Sequence, residues 1–492
     1  MRRSVGSRAL AALRALLVIV MLSAAGSAAA ASRPNIVFIL ADDMDLAALQ
    51  WMPTTRRLLG EGGTTFDRNY VEVALCAPSR ATMLTGRYAH NHKVLTVDKS
   101  NGGFRQFRNQ GSESRTVAVW LRNAGYATAL VGKYINGFPD NKPETYIPPG
   151  WSYWAAAVQR GDTPYRQFKY KLNENGKLVS YGSSSSSYGT DVYTRRSIDF
   201  IKASAKAGKP FFLFLSLFAP HTPATAAPRH AGLFADATVP RTPGFMEADV
   251  TDKPLFLQYP ELDPLGVAAL DAAYAQRLRA LQAVDEAVGK VYDAVGGVKK
   301  LSNTYFVFAS DNGYHLGQHR LPAGKQLAIE EDIHLPLLIR GPGVPAGRVD
   351  GEHLVGNADL APTFAEWAGV SVPVTVDGRS LAPLLAATPP AVWRQSLPLA
   401  RWRIPTSTTD PWPEFKGVRT TRFSWVEWAD GSRELYDNAA DPDQLANLAA
   451  DPALAPARDQ LARLVADLGA CLGATCRSVE DRPWVEPVPQ GR

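Results

Sequence analysis

The sequence predicts an α/β fold with a largely parallel central sheet flanked by helices, followed by a smaller α+β subdomain at its C-terminal end. The prediction depends on continuous apolar runs at residues 35–41, 127–131, 211–219 and 305–310. Runs of this length without polar alternation are typical of strands that are buried on both faces, as parallel strands usually are. The second observation is that helical patterns separate these runs, as the connections of a parallel sheet require.

The predicted helices occupy residues 117–123, 191–205 and 265–295, where apolar residues recur at helical spacing. Gly125 follows the first of them, in the position of a C-terminal cap. In the longest, Leu281, Val284 and Val288 form a single apolar stripe, which indicates packing against a core.

The composition changes after about residue 375. Short predicted strands at 397–404, 415–418, 423–428 and 434–436 precede an amphipathic helix at 455–468. We therefore expect a main α/β domain at 32–375 and an α+β subdomain at 376–492, packed on the main sheet rather than joined by a flexible linker.

The N-terminus has the pattern of a secretory signal peptide at residues 1–31. Arginines precede an apolar stretch at 15–22, and small residues follow at 23–31. This pattern predicts a protein secreted to the extracellular or periplasmic space, with the export route left open. No later apolar run reaches the length of about 18 residues that a membrane span needs, so we expect no integral membrane segment in the mature chain.

The overall charge excludes little. Lysine and arginine exceed aspartate and glutamate by a net charge of +6, and the isoelectric point is about 9.1. The basic residues are scattered rather than grouped into a stripe, which argues against nucleic acid as a partner. A hydrophobic content of 46% is enough for a large core, which argues against a disordered chain.

Polar side chains follow the four predicted strands at the point where each strand ends. They are Asp42 and Asp43, Lys133, His221, and the pair Asp311 and Asn312. Because the carboxyl ends of parallel strands meet at one edge of a sheet, we expect these side chains to lie together. One Asp-Asp pair is also typical of a solvated loop, but two oxygen-rich pairs at separate strand ends favour a site for calcium or magnesium.

The cysteines divide into a pair and a single residue. Cys471 and Cys476 are close in sequence and are expected to form a short disulfide loop, which leaves Cys76 alone. A single cysteine is often an inert buried residue. Here, however, residues 76–80 read Cys-Ala-Pro-Ser-Arg and residues 84–86 read Leu-Thr-Gly.

This run resembles the signature of the sulfatase family, and the resemblance extends from Arg33 to about residue 442. It implies that a maturation enzyme oxidises Cys76 to formylglycine, an aldehyde. One hydroxyl of the hydrated aldehyde attacks the sulfur of a sulfate ester, and the other later expels sulfate by collapse to the aldehyde. The main domain is then the catalytic domain.

The resemblance also assigns roles to individual residues. It places Asp42, Asp43, Asp311 and Asn312 around one calcium ion, with modified Cys76 adding an oxygen. Arg80 supports the aldehyde hydrate, Lys133 and Lys325 bind the sulfate, and His221 faces the leaving oxygen. A capped turn is the plainer explanation for His221, and a solvated side chain is the plainer one for Lys325.

The sequence departs from the family pattern at Ile135. Many sulfatases have a histidine two residues after the lysine matched by Lys133, and isoleucine cannot transfer a proton. His90, His92 and His315 are the candidates to replace it.

Residues 132–136, 149–154 and 311–315 are most similar to the N-acetylglucosamine-6-sulfatase branch of the family. This similarity implies a sulfated sugar as substrate, with Asn136 and His315 as substrate-binding residues. Three aromatic residues of the second segment, Trp151, Tyr153 and Trp154, suit either stacking on a sugar ring or core packing.

Two alternatives remain. An arylsulfatase or a phosphonate or phosphodiester hydrolase of the same superfamily would keep the fold and change the substrate. A secreted glycan-binding protein with a lapsed active site would keep an unmodified Cys76 thiol.

Overall fold

The computed structural model describes residues 33–159, 163–408 and 410–483. The predicted signal peptide at 1–31 lies outside these ranges. Within them, no helix combines the length and the apolar character needed to cross a membrane.

The main sheet has ten strands in the order β11-β2-β10-β9-β1-β8-β4-β5-β6-β7. Its central strands, β9, β1, β8, β4 and β5, are all parallel, whereas β10, β6 and β7 are antiparallel to their neighbours. A two-stranded sheet pairs β12 with β3, and a four-stranded sheet has the order β13-β14-β15-β16. The strands are β1 Asn35–Asp42, β2 Thr64–Phe66, β3 Asn69–Tyr70, β4 Ala127–Gly132, β5 Tyr153–Ala157, β6 Lys171–Glu174, β7 Lys177–Ser180, β8 Phe211–Pro220, β9 Thr304–Ser310, β10 Leu337–Arg340, β11 Arg348–Asp350, β12 Val355–Gly356, β13 Ser396–Arg401, β14 Phe415–Thr420, β15 Phe423–Trp428 and β16 Arg433–Asp437.

Helices cover both faces of the main sheet. They are α1 Pro53–Thr55, α2 Cys76–Thr85, α3 Ala89–His92, α4 Gly103–Asn109, α5 Val117–Asn123, α6 Gly189–Lys206, α7 Pro264–Gly297, α8 Glu330–Ile333, α9 Leu360–Trp367, α10 Ala455–Ala470 and α11 Ala474–Glu480. Short 3-10 turns lie between several of them.

The central strands are apolar on both faces because each face packs in a different core. Val37 of β1 and Leu213 of β8 belong to the core that α6 and α7 cover. Phe38 and Phe214 point to the opposite face, where α2, α5 and α9 cover them, and their rings stack at 4.7 Å. Burial on two faces explains why these strands lack polar alternation.

The C-terminal strands form an antiparallel sheet, as the α+β prediction required. One face of this sheet, including Trp425, packs on Leu461 and other apolar residues of α10. Its other face, including Leu399 and Val426, packs with Leu335 of the main domain. The predicted fold class is confirmed, while the exact domain boundary at 375 stays a prediction.

Candidate active site

The polar residues predicted at the strand ends meet at the carboxyl edge of the central sheet. Asp42 is the last residue of β1, and Lys133, His221 and Asp311 directly follow β4, β8 and β9. These four strands are adjacent in the order β9-β1-β8-β4. Cys76 is the first residue of helix α2.

Asp43 links the two acidic segments. Its φ of 65° lies in the left-handed region, which aspartate tolerates better than most residues. Its amide donates to Asp311 Oδ1 at 3.0 Å, and its own Oδ1 accepts from Asn312 Nδ2 at 2.7 Å. Arg277 of α7 donates to its carbonyl oxygen and holds the turn from below.

The Cys76 thiol lies inside this cluster and is only 2% exposed. Its Sγ is 2.9 Å from Lys325 Nζ, 3.4 Å from Asp42 Oδ1 and 3.6 Å from Asp43 Oδ1. Burial raises the pKa of the thiol, and Lys133 and Lys325 offset this only in part. The unmodified side chain is therefore a neutral thiol at neutral pH, which is a poor nucleophile.

Three cations balance the buried carboxylates. Lys133 Nζ donates to Asp42 Oδ2 at 2.6 Å, and Lys325 Nζ donates to Asp43 Oδ1. Arg80 Nε donates to Asp311 Oδ2 at 2.7 Å. Each charge thus has an opposite charge in hydrogen-bond range, as burial demands.

The carboxylates respond differently to this arrangement. Burial by itself would raise the pKa of Asp42, but Lys133 and the other nearby cations outweigh burial and lower it. For Asp311, burial and the neighbouring charge of Asp42 raise the pKa to about 6, although Arg80 opposes them. Burial is thus the main reason why Asp311 takes up a proton more readily than Asp42.

The cluster suits a hard divalent cation. Potential ligand atoms of Asp42, Asp43, Cys76 and His221 all lie within 4.8 Å of one another. Asn312 Oδ1 is buried and has no hydrogen-bond partner, although such oxygens are normally paired. An unpaired amide oxygen next to carboxylates is a typical calcium ligand. The thiol of Cys76 is a poor calcium ligand, but an oxygen at the same position would be a good one.

His221 is at the open side of the cluster, with its side chain 25% exposed. Its Nδ1 is 2.6 Å from the carbonyl oxygen of Thr222, and its Nε2 is 3.6 Å from Asp43 Oδ2. The Nδ1 proton is therefore donated to the carbonyl, and Nε2 faces the cluster. Burial lowers the pKa of His221, so the protonated ring is a stronger acid than histidine in water.

The two predicted substrate-binding residues are close to the cluster but have protein partners. Asn136 Nδ2 donates to Tyr165 Oη at 3.3 Å. His315 is fully buried, and its Nδ1 is 2.8 Å from Asp332 Oδ1. His315 Nε2 has no partner, and its backbone pairs with Gly324, the residue before Lys325.

Two of the histidines named as replacements for position 135 are engaged elsewhere. His92 is fully buried and pairs with Thr82 Oγ1 at 3.0 Å, and His90 pairs with the carbonyl oxygen of Cys471 at 2.9 Å. Cys471 itself forms the expected disulfide with Cys476. His315 is joined through its backbone to Gly324, the neighbour of Lys325, and so is connected to a segment of the site.

The aromatic segment after position 149 is part of the core. Trp154 is 0% exposed and Trp151 is 7% exposed, and both belong to the core beneath α2, α5 and α9. Tyr153 packs on Phe200 with ring centroids 5.5 Å apart. Stacking of Trp151 and Trp154 on a sugar was the wrong alternative, because both side chains are buried in the core.

Sequence patterns did not indicate three residues that contact the site. Ser216 Oγ accepts from Arg80 Nη1 at 2.6 Å, Arg277 holds the Asp43 turn, and Tyr165 lies against His221. Ser216 interrupts the apolar run of β8 and was the one available signal. Tyr165 lies in a 3-10 turn and Arg277 within a long helix, where neither stands out.

Comparison with known proteins identifies the family to which this chain is similar. The sulfatase family model matches residues 34–370, and the model described as N-sulphoglucosamine sulphohydrolase, C-terminal, matches residues 317–470. The chain is 40% identical over 366 residues to the extracellular sulfatase SULF-1 homolog of Drosophila melanogaster. That match covers 73% of this chain but only 32% of that protein, so the chain spans about a third of its length.

A second relative aligns over most of its length. The chain is 35% identical to the N-acetylglucosamine-6-sulfatase of Homo sapiens over 506 residues, covering 94% of this chain and 90% of that protein.

Two solved structures share the fold. One, determined in complex with its substrate D-glucosamine-2-N,6-O-disulfate, has a TM-score of 0.74, 24% identity, and coverage of 92% of this chain and 99% of that chain. The other, the phosphonate monoester hydrolase of Silicibacter pomeroyi, has a TM-score of 0.71, 24% identity, and coverage of 87% and 94%. With the family model matched across the whole main sheet and the signature cysteine inside the acidic cluster, the chain belongs to the sulfatase family of sulfuric ester hydrolases.

Proposed function

We propose that this chain hydrolyses sulfate esters of a sulfated sugar, such as N-acetylglucosamine 6-sulfate, with calcium bound and Cys76 oxidised to formylglycine. The observation that carries the proposal is the position of the Cys76 side chain, between the Asp42–Asp43 pair and Lys325 Nζ. A signature cysteine that is buried among charges, rather than among apolar side chains, is placed for chemistry.

Asp42, Asp43, Asp311 and Asn312 would hold the calcium ion. The bound ion would supply positive charge beside the nucleophile and the sulfate oxygens. The unpaired Asn312 Oδ1 supports this assignment, because it leaves one buried acceptor without any other role. The oxygen that formylglycine adds at position 76 completes an all-oxygen ligand set.

The cations of the chain would bind the sulfate group. Lys133 and Lys325 bring two ammonium groups to the carboxylates beside position 76, and each is already anchored by one of them. Anchored cations stabilise the charge that develops on the ester without having to reorganise. Arg80 would brace the nucleophile through Asp311, and His221 would protonate the leaving oxygen as the S–O bond breaks.

The relatives support the proposed substrate class. The human relative is an N-acetylglucosamine-6-sulfatase, and one structural neighbour was solved with a sulfated glucosamine. In this proposal a formylglycine-generating enzyme is a required partner, and the protein acts after secretion, as the relative named an extracellular sulfatase does. His315 would line the sugar side of the site.

Mass analysis of the Cys76 peptide tests the proposal directly. The chain should be produced together with a formylglycine-generating enzyme and assayed for sulfate release from N-acetylglucosamine 6-sulfate. We expect an active protein whose peptide is lighter than the thiol form, because an oxygen replaces the sulfur and two hydrogens are lost. An active protein that retains the thiol would overturn the mechanism, and an inactive protein with the aldehyde would overturn the substrate.

Two substitutions test the roles of the charged groups. Lys133→Ala and His221→Ala should each lower kcat by about 100-fold or more, since a lost transition-state contact costs about 3–4 kcal/mol. Lys202→Ala, at an exposed position of α6, is the matched control and should retain full activity. Full activity of the Lys133 or the His221 variant would remove that residue from the mechanism.

The phosphonate monoester hydrolase neighbour supports a second candidate function. The same edge-of-sheet cluster could act on a phosphonate or phosphate ester, or on an aryl sulfate. Paired 4-nitrophenyl sulfate and 4-nitrophenyl phenylphosphonate carry the same leaving group and isolate the preference for the anion. If kcat/KM is higher for the phosphonate ester than for the sulfate ester, phosphonate hydrolysis becomes the proposed activity of this chain.

A further inference from the structure

Ile135 occupies the position of a missing histidine, and its side chain points away from the cluster. It is 0% exposed and belongs to the apolar core that also contains Phe104, Phe138 and Trp154. The side chain at position 135 therefore contributes apolar packing and no polar group. Some other side chain must support the residues that the proposed mechanism uses on this side of the site.

Tyr165 contacts two residues of the proposed mechanism, His221 and Lys133. Its ring centroid is 4.5 Å from that of His221, with the planes tilted by 46°. Lys133 Nζ is 5.1 Å from the same ring, within range of a cation–π interaction. Phe218 packs edge-on against the ring at 4.9 Å and fixes its position from the sheet side.

The hydroxyl of Tyr165 is held as well as its ring. Asn136 Nδ2 donates to Tyr165 Oη at 3.3 Å, so the residue after Ile135 acts as the polar support of the ring. Burial raises the pKa of Tyr165 to about 12, which keeps the phenol neutral. A neutral ring adds no negative charge that would compete with sulfate for Lys133.

His221 has few other restraints. Its side chain contacts Thr222 through Nδ1 and approaches Asp43 through Nε2, and it is partly exposed. The Tyr165 ring supplies a third contact, which packs on the imidazole ring at a tilt of 46°. Removing the ring would let the imidazole tilt out of line with the leaving oxygen.

We propose that Tyr165 is a positioning residue that holds His221 and Lys133 in place, and that Asn136 acts through Tyr165 rather than by binding the substrate. This inference rests on the proposed function, because it takes His221 as the group that faces the leaving oxygen. In the step concerned, one hydroxyl oxygen of the hydrated aldehyde at position 76 would bond to sulfur and lose its proton to water. The electrons of the breaking S–O bond go to the leaving oxygen, which takes the proton from His221 Nε2.

Leaving-group dependence separates this role from a general loss of stability. A sugar alcohol is a poor leaving group and needs the proton, whereas 4-nitrophenolate leaves with little help. We expect Tyr165→Leu to lower kcat for N-acetylglucosamine 6-sulfate about 100-fold, as a misplacement of about 1 Å does. The loss on 4-nitrophenyl sulfate should be at least 10-fold smaller than that on the sugar sulfate.

Tyr153→Leu is the matched control. Tyr153 is also a partly buried tyrosine in a ring contact, but it packs on Phe200 away from the cluster. Any loss in that variant should be equal for the two substrates. Equal losses on both substrates in Tyr165→Leu, or no loss in that variant, would overturn the inference.

A double-mutant cycle tests the role of Asn136 and uses variants that keep the ring. Tyr165→Phe and Asn136→Ala each remove one end of the same hydrogen bond. If Asn136 acts through Tyr165, the double variant should be no less active than the worse single variant. If instead the activity losses of the two single variants multiply in the double variant, and Asn136→Ala alone raises KM, then Asn136 binds the substrate directly. That result would overturn the role assigned to Asn136.

The outcomes distinguish the inference from the function on which it rests. A wild-type protein that releases no sulfate from either ester contradicts the proposed function. The wild-type protein could instead be active while Tyr165→Leu loses the same factor in kcat on both substrates at an unchanged melting temperature. That result contradicts only the positioning role of Tyr165.

Discussion

Gly132 ends β4 beside Ser216 of β8, and we predict that Gly132→Ala disrupts the site. Its φ is 104°, and a Cβ added there would lie 1.9 Å from the carbonyl oxygen of Ser216. That oxygen accepts from Lys133 N at 2.8 Å. The end of β4 must therefore move by about 1 Å to accommodate the methyl group, and Lys133 moves with it.

The magnitude follows from these contacts. A side chain at a left-handed backbone position costs about 1–2 kcal/mol, and loss of the Lys133 N–Ser216 O hydrogen bond adds about 1 kcal/mol. We expect the free energy of unfolding to fall by about 2–3 kcal/mol in total. A 1 Å displacement of Lys133 should lower kcat about 100-fold.

Gly125→Ala is the control that separates strain from collision. Gly125 has a φ of 89°, but a Cβ added there meets no atom within 4 Å. That variant should lose only about 1–2 kcal/mol and keep its activity, because no close contact forces β4 to move. Urea titrations and sulfate-release assays on both variants provide the comparison. If Gly132→Ala is as stable and as active as Gly125→Ala, the close approach to Ser216 does not position Lys133.

Three further predictions concern the metal, the disulfide and an ion pair. Calcium should raise the melting temperature, since an ion at 100 times its Kd adds about 2.7 kcal/mol, and Asn312→Leu should abolish this shift. The Cys471–Cys476 disulfide closes only a short loop. Its reduction should therefore lower the free energy of unfolding by only about 2 kcal/mol, which urea titrations with and without reductant would measure. Burial opposes ionisation of Glu330, but Arg419 and other cations outweigh it and lower its pKa to about 2. The ion pair therefore stabilises the fold fully above the pKa of glutamate in the unfolded chain, about 4.3, and this stabilisation is lost as the pH falls toward 2. Arg419→Gln should lower the free energy of unfolding more at pH 6 than at pH 3. Equal losses at the two pH values would contradict the role of the pair.

The central strands could be predicted because burial on both faces leaves a strong local pattern. The run predicted at 211–219 became β8, Phe211–Pro220, and the run at 305–310 became β9, Thr304–Ser310. The helix predicted at 117–123 is Val117–Asn123. In each case the signal lies within a few neighbouring residues, and distant parts of the chain do not alter it.

The partners of the site residues could not be predicted in this way. Asp43 and Asp311 are 268 positions apart and share a hydrogen bond, and Lys133 pairs with Asp42 across 91 positions. Tyr165 reaches His221 from a 3-10 turn without a recognisable pattern. From the sequence, the Trp154 ring suited stacking on a sugar, but in the structure it is completely buried.

The amino-acid sequence alone determined which chemical groups are present and that they follow buried strands. The signature around Cys76, the oxygen-rich pairs and the lysines were all identifiable from it, because each is a local arrangement of residues. Only the tertiary structure decided which groups touch, because the order of the strands and the packing of distant turns depend on contacts throughout the chain. For that reason the acidic cluster could be anticipated, whereas the aromatic support of His221 and the close approach at Gly132 required the structure.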